Sequence, residues 1–428
     1  MKKLFFITAL LICSSMLFAQ EEGKPDFPTQ KIDQPGKLNK KAIPDSYIIF
    51  FDEDIFPPFI KKSPAKENDN REAKGNEAKN HEKQMIVQLR KVAQDKLGIT
   101  PAMIADYYTT ATAGIRVQVK NENAKGLLEK LKIVKEVVAM VQDFTIDAVD
   151  NNVRPVTGNI GYAQTPGWGV NLVGSGNYSG NKWAWVLDTG IDPGHPDLNI
   201  NTTYATSFIS GQTWADGKGH GTHVAGIIAA RNNTVGILGV AAGASVVPVK
   251  VLDNNGNGSW GALLSGLNYV AKYYIPGDVV NMSLGGPAPD WFTDCCIWWD
   301  ERKQSENAIK NLANAGAFCV IAAGNDDQNA NNQTPARVNN TRVYTISAMN
   351  WSRNIASFSN YGNGPVDYAA PGVSILSTYK AGGYAYMDGT SMAAPFVSGI
   401  LLISNGVIHT NGILNTDKDP IKDPVAVK

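Results

Sequence analysis

The chain has little cysteine, no net charge and no long apolar run in its interior, and each lack removes a class of protein. Four cysteines in 428 residues exclude a scaffold stapled by disulfides, and none has the spacing of a zinc or redox motif. The 39 basic residues are balanced by 39 acidic ones, so nothing in the composition calls for nucleic acid. Past the N-terminus no apolar stretch approaches the roughly 20 residues needed to span a bilayer. What is plentiful is small or apolar: 43% hydrophobic residues and 41 glycines suit a globular protein of more than one domain.

The N-terminus stands apart. Met1-Lys2-Lys3, the apolar run 4–13 and the small residue Ala19 read as a secretory signal peptide over 1–19. Acylation of Cys13 would need a small residue before it and finds Ile12, so a free, exported product is expected. Residues 20–150 form a separate segment whose part 43–148 reads as a small α+β domain. Strands are expected at 46–51, 114–120 and 135–141 and helices at 80–97 and 124–131. Together they suggest a ferredoxin-like βαββαβ unit. The charged stretch 61–83 reads as a solvated insertion.

From residue 151 to 428 apolar strands alternate with helices, the pattern of a doubly wound, mostly parallel α/β sheet covered on both faces. Strands are expected at 183–187, 203–208, 246–250, 279–282, 318–323, 343–347 and 366–369, with helices at 220–230, 260–273, 307–315 and 391–404. Such sheets bind ligands at the carboxyl ends of their strands. Asp188 stands at one such end and the turn Ala322-Ala323-Gly324-Asn325 at another.

Three stretches carry the chemistry. Gly389-Thr390-Ser391-Met392-Ala393-Ala394-Pro395 sets a serine between a turn and an apolar helix, where backbone N–H groups and the helix dipole meet an oxyanion. A serine hydroxyl is a weak nucleophile without a base. Gly219-His220-Gly221-Thr222-His223 supplies an imidazole, and Val186-Leu187-Asp188-Thr189-Gly190 a buried carboxylate. In isolation each of these is an ordinary cap, core histidine or strand end. In the order Asp, His, Ser they resemble the subtilisin-like serine protease family, and no Gly-x-Ser-x-Gly elbow surrounds Ser391 to suggest an α/β-hydrolase.

The resemblance implies a serine endopeptidase with Ser391 as nucleophile, His220 as base, Asp188 as its orienting carboxylate and Asn325 as oxyanion donor, His223 being structural. It implies that the first domain is an inhibitory pro-segment whose last strand occupies the cleft until it is cut off within 147–158; an accessory domain is the other reading. Ser283, Leu284, Gly285 and Gly286, with Gly256 and Gly258, resemble the segments that hold a peptide as an added strand, and Ala323 and Gly324 adjoin them. Trp260 is either the wall of an apolar pocket four residues upstream of the scissile bond or plain core. Asp326 and Asp327 would favour basic or polar side chains near the cut, although a charged pair on a loop is usually only solvated. A calcium site is implied at the carbonyls of Arg231, Val235 and Ile237, the side chains of Asn233 and Asp197, and Gln164; an Asn/Gly turn is the alternative. Partners would be protein or peptide substrates and the chain's own pro-segment, with no nucleic acid or membrane, in a monomer.

Departures are few. Phe396 stands where the family often has histidine. The segment 289–302 reads as an insertion that either walls the cleft or packs its tryptophans on the outer face. Cys319 reads as a buried small residue, and a bridge to Cys295 or Cys296 is the one pairing considered. Residues 405–428 read as a packed polar tail. A peptide-binding protein without activity and a narrow processing protease are the rival functions.

Overall fold

The computed structural model describes residues 42–62, 64–66, 69–148, 150–156, 164, 166–287 and 301–428, with side chains omitted at 151 and 301–305. The signal peptide, Cys13, Cys295, Cys296 and the insertion up to residue 300 lie outside the described residues.

The N-terminal domain runs β1 (Ala42–Phe51), α1 (Arg71–Val92), β2 (Ile104–Tyr108), β3 (Gly114–Gln118), α2 (Asn121–Leu131) and β4 (Val137–Ala148). Its antiparallel sheet has the order β4-β1-β3-β2, the ferredoxin-like arrangement. β1 is apolar at every position from Tyr47 to Phe51 because both sheet faces are covered. Tyr47, Ile49 and Phe51 pack with Ile115, Val117 and Met140 under the domain's own helices. Ile48 and Phe50 join a second cluster with Trp185, Leu187 and Trp260.

The second part of the chain begins with β5 (Asn151–Pro155) and continues with β6 (Ala184–Asp188), α3 (His220–Ala229), β7 (Ser245–Lys250), β8 (Asn257–Ser259), α4 (Trp260–Tyr273), β9 (Val279–Met282) and β10 (Leu284–Pro287). Then follow α5 (Glu301–Asn314), β11 (Phe318–Ala322), β12 (Val343–Met349), β13 (Tyr368–Pro371), β14 (Ile375–Tyr379), β15 (Gly383–Asp388), α6 (Thr390–Ile403), β16 (His409–Ile413) and β17 (Pro424–Val427). The main sheet orders them β16-β17-β13-β12-β11-β9-β6-β7, parallel except for β16. The central strands β6 and β9 are buried along their length and β11 from Cys319 onward, which is why they read as largely apolar runs. α3 and α6 cover one face; α4 and α5 cover the other, together with the N-terminal sheet. β6 is followed by β7 on one side and later by β9 on the other, so the topological switch lies beside Asp188.

Three sequence expectations need correction. Helix α1 begins at Arg71, not 80, so 71–83 is no solvated insertion: Asn70 caps it by accepting from the Ala73 N–H at 3.0 Å. Its charged face docks on the second part of the chain. Arg71 grips Asp278 with contacts of 2.5 and 2.7 Å and lies over the Trp183 ring, while Lys272 reaches Glu82 at 2.8 Å. The strand expected at 203–208 shrinks to Thr206–Ser207, because the outer edge of β7 is shared with Asn199–Ile200. The helix expected at 307 already starts at Glu301. The C-terminal segment, read as a packed polar tail, packs by adding two strands to the sheet edge and burying Val425 and Ala426.

Candidate active site

Asp188 is the last residue of β6 and His220 the first of α3. The loop between them is closed by buried Asp216, which accepts from Thr189 Oγ1 at 2.8 Å and from the N–H groups of Lys218, Gly219 and Thr222 at 3.0, 2.7 and 2.9 Å. Gly221 packs so tightly on β6 that a Cβ there would stand 2.1 Å from the Gly190 carbonyl oxygen. This close approach sets His220 Nδ1 2.7 Å from Asp188 Oδ1, both side chains fully buried. His220 Nε2 is buried without a partner. Burial lowers the His220 pKa, but the Asp188 carboxylate outweighs it, with Asp150 adding to the effect, so the imidazole titrates above its ordinary value. His223 is the opposite case. Burial pushes it down to about 3, and its Nε2 lies 3.1 and 3.0 Å from the Ile375 and Ala385 carbonyls, the place of a neutral structural ring donating its proton.

Ser391 is the second residue of α6, a helix buried from Thr390 to Leu402. Its Oγ donates to the Ser283 carbonyl at 3.0 Å, and Ser283 Oγ donates back to the Ser391 carbonyl at 2.9 Å. The second bond has a cause in the sequence. Residue 395 is proline, so no N–H closes the helical turn onto the Ser391 carbonyl, and Ser283 satisfies it instead. The Ser391 hydroxyl is thus turned to Ser283, not to His220; catalytic hydrogen bonds are often loose at rest and tighten with substrate. Asn325 Oδ1 accepts from both the N–H and Oγ1 of Thr390, each at 2.9 Å, which ties it to the residue before Ser391. Its Nδ2 is buried and unpartnered. Gly324, at φ 106°, donates its N–H to Thr390 Oγ1 at 3.0 Å, and the Ala323 carbonyl accepts from Asn360 Nδ2 at 2.9 Å. Ala323 and Gly324 therefore hold the Asn325 turn.

The expected substrate segments carry a strand. The last residues of β4 lie between β8 and β10, pairing Thr145, Ile146 and Asp147 with Ser259, Gly258 and Asn257, and Asp147 and Ala148 with Gly285 and Leu284. The Ala148 N–H donates to the Gly256 carbonyl at 2.8 Å. A Cβ on Gly286 would stand 2.8 Å from the Thr145 carbonyl oxygen, so only glycine admits the strand this closely. Trp260 is fully buried beneath β4, its ring stacked on Phe144 at 5.8 Å with 10° between planes.

A model described as the subtilase family matches residues 185–406. The chain belongs to the subtilase family. It is similar to subtilisin NAT of Bacillus subtilis subsp. natto, 38% identical over 263 residues, which covers 58% of this chain and 64% of that protein. It is also similar to subtilisin Savinase of Lederbergia lenta, 40% identical over 245 residues and covering 83% of it. A solved cold adapted subtilisin-like serine proteinase is 30% identical, with 56% of this chain and 84% of that one aligned at a TM-score of 0.48.

In this subtilase the loop expected to bind calcium is closed by its own polar groups. Gln164 Nε2 lies 2.5 and 2.6 Å from the Arg231 and Ile237 carbonyls, and Asn233 Nδ2 lies 2.7 Å from Asp197 Oδ1. The Val235 N–H donates to Asn233 Oδ1 at 2.9 Å. Asp326 and Asp327 do not face the cleft as free charges: Asp326 accepts from Gln333 Nε2 at 2.7 Å and Asp327 pairs with Lys418. Cys319 is a free, buried thiol pushed up to about 12 by burial, so the bridge considered for it is not formed. Sequence reasoning missed Asp216, Thr390 and the reciprocal bond of Ser283. For Asp216 a signal existed, an Asp-Gly-Lys-Gly turn just before a helix.

Proposed function

We propose that this subtilase is the precursor of an exported, monomeric serine endopeptidase of broad specificity, and that its N-terminal domain is an inhibitory pro-segment. The observation that carries the reading is the buried Asp188–His220 pair, with Ser391 at the head of α6 and a strand of the chain already held between β8 and β10. Ser391 Oγ would attack a peptide carbonyl while His220 Nε2 takes its proton and delivers it to the leaving amine. Asp188 would hold the Nδ1 proton and stabilise the imidazolium. Asn325 Nδ2, buried and without a partner, and the backbone N–H of Ser391 would receive the oxyanion. Breadth follows from β8 and β10 gripping their strand through backbone groups, with Trp260 as an apolar wall upstream.

The test is covalent labelling. A fluorophosphonate probe should attach to Ser391 in the processed protein, as read by peptide mass, and the protein should hydrolyse peptide p-nitroanilides until labelled. Labelling elsewhere, or hydrolysis that survives it, would sink the reading. Asn325→Ala should lower kcat about 10²–10³-fold with little change in KM. An equal loss in the uncatalysed binding of a peptide inhibitor would assign Asn325 to binding instead.

Calcium fits the loop at Asp197. One carboxylate, two side-chain amides and the Arg231 and Ile237 carbonyls converge there; their oxygens are of the hard type that calcium selects, and binding would turn the Gln164 and Asn233 amide oxygens away from the Asn233 and Val235 N–H groups they now accept from. Among the described residues no group of three His, Cys, Asp or Glu gathers, at this loop or anywhere else, so the donors here would be chiefly carbonyl and amide oxygens. The bound ion would brace the loop and take no part in the chemistry. Chelation should lower the melting temperature of the processed protein by about 5–10 °C; an unchanged scanning-calorimetry trace would remove the ion from the account.

A further inference from the structure

The guanidinium of Arg71 is received by groups that all belong to the second part of the chain. Its Nη1 donates to Asp278 Oδ2 at 2.5 Å and to the Tyr273 carbonyl at 3.0 Å, and its Nη2 donates to Asp278 Oδ1 at 2.7 Å and to the Asn181 carbonyl at 3.3 Å. The Trp183 ring covers one face of the plane, its centre 3.7 Å from the guanidinium carbon. Each terminal nitrogen thus finds two acceptors, in a forked and flat geometry that a guanidinium fills. An ammonium, a compact charge with tetrahedral donors, matches neither the fork nor the stack.

The socket is built without help from its occupant. Asp278 is fully buried and held from within by the Trp185 indole at 2.9 Å. Trp183 packs on Trp185 and Tyr204, with ring centres 5.7 and 5.0 Å away. The occupant, by contrast, is poorly placed on its own element: Arg71 is the first residue of α1, where the helix dipole disfavours a cation. The socket, not the helix, accounts for an arginine there. Further along, α1 adds a grip of its own. A Cβ on Gly75 would stand 2.1 Å from the Tyr273 ring, and Glu82 meets Lys272 at 2.8 Å. Asp278 immediately precedes β9, whose far end leads to Ser283 and Leu284, about 17 Å along the strand. The socket therefore lies at the end of the sheet away from Ser391, and a ligand bound in it leaves the cleft open.

We propose that Asp278, Trp183 and the carbonyls of Asn181 and Tyr273 form an arginine-binding site separate from the cleft, filled by Arg71 in the full-length chain and by the arginine side chain of another polypeptide when α1 is not on it. The inference goes beyond the hydrolytic function proposed above and does not depend on it. Occupancy is exclusive, because the same acceptors cannot serve two guanidinium groups, so an arginine-bearing partner and α1 compete.

The test uses the full-length chain carrying Ser391→Ala, so that it stays whole. Methylguanidinium is the probe and methylammonium the control of equal charge. With Arg71→Ala added, calorimetric titration should show saturable binding of methylguanidinium, half-complete at about 1–10 mM, with methylammonium about 10-fold weaker or worse. With Arg71 in place the tethered side chain should weaken the probe about 10-fold or more. Acetyl-Gly-Arg-Gly-amide should compete with the probe for the Arg71→Ala chain, and its lysine counterpart should not. Equal binding of the two cations would reduce the socket to an ordinary ion pair. Absent saturation, equal binding with and without Arg71, or a tripeptide that fails to compete would each overturn the proposal as well. Should Arg71→Ala not fold, Arg71→Lys takes its place with the same outcomes, since an ammonium leaves the fork unfilled.

Discussion

Ser391→Ala is expected to leave the full-length chain uncut and to lower kcat/KM of the domain by about 10⁶-fold. The fold should survive the change, because the Ser391 carbonyl still accepts from Ser283 Oγ and only the hydroxyl bond to the Ser283 carbonyl is lost. Intact mass of the purified wild type and variant, incubated side by side at neutral pH, reads the result. Loss of the N-terminal segment from the wild type alone assigns Ser391 as the nucleophile and the cut as self-inflicted. Equal processing of both would place the nucleophile elsewhere, and two uncut chains would leave the peptide-binding reading as the better one.

Asp188→Asn should cost about 10⁴-fold in kcat, since the amide no longer holds the proton on His220 Nδ1 and leaves the imidazolium unsupported. Its pH dependence is the sharper test. His220 must be neutral to accept the Ser391 proton, so the rate falls as pH drops through its pKa. In the wild type that limb lies above the ordinary histidine value of 6.5, because the Asp188 carboxylate outweighs burial. Without the carboxylate burial dominates, and the residual activity of the variant should extend to lower pH. A limb that stays in place, or moves up, would show that Asp188 does not govern His220.

Much of this was legible in the sequence, for physical reasons that differ by element. β6, β9 and β11 are buried on both faces, and an unbroken apolar run of strand length admits few other readings. Asp188, His220 and Ser391 were legible through the resemblance of their flanking motifs to the subtilisin-like family; taken singly, each reads as an ordinary strand end, core histidine or helix cap. Helix α1 was misjudged because Arg71, Lys74 and Glu82 look like a solvated run; their partners, Asp278 and Lys272 for Arg71 and Glu82, are about 200 residues away. The pairing of Ser283 with Ser391 was hidden likewise, although Pro395 had left the Ser391 carbonyl in need of a donor. Asp327 was misjudged in the other direction, its partner Lys418 lying in a tail that looked inert.

Asp278 keeps donors of its own domain when Arg71 is taken away: the Trp185 indole at 2.9 Å and the N–H groups of Trp183 and Ile275 at 3.0 and 3.1 Å. Separation of the two domains therefore strands no buried carboxylate, while Arg71 regains water. On the proposed pro-segment reading, detachment and return would therefore both be open at this seam, the contact being a reversible latch.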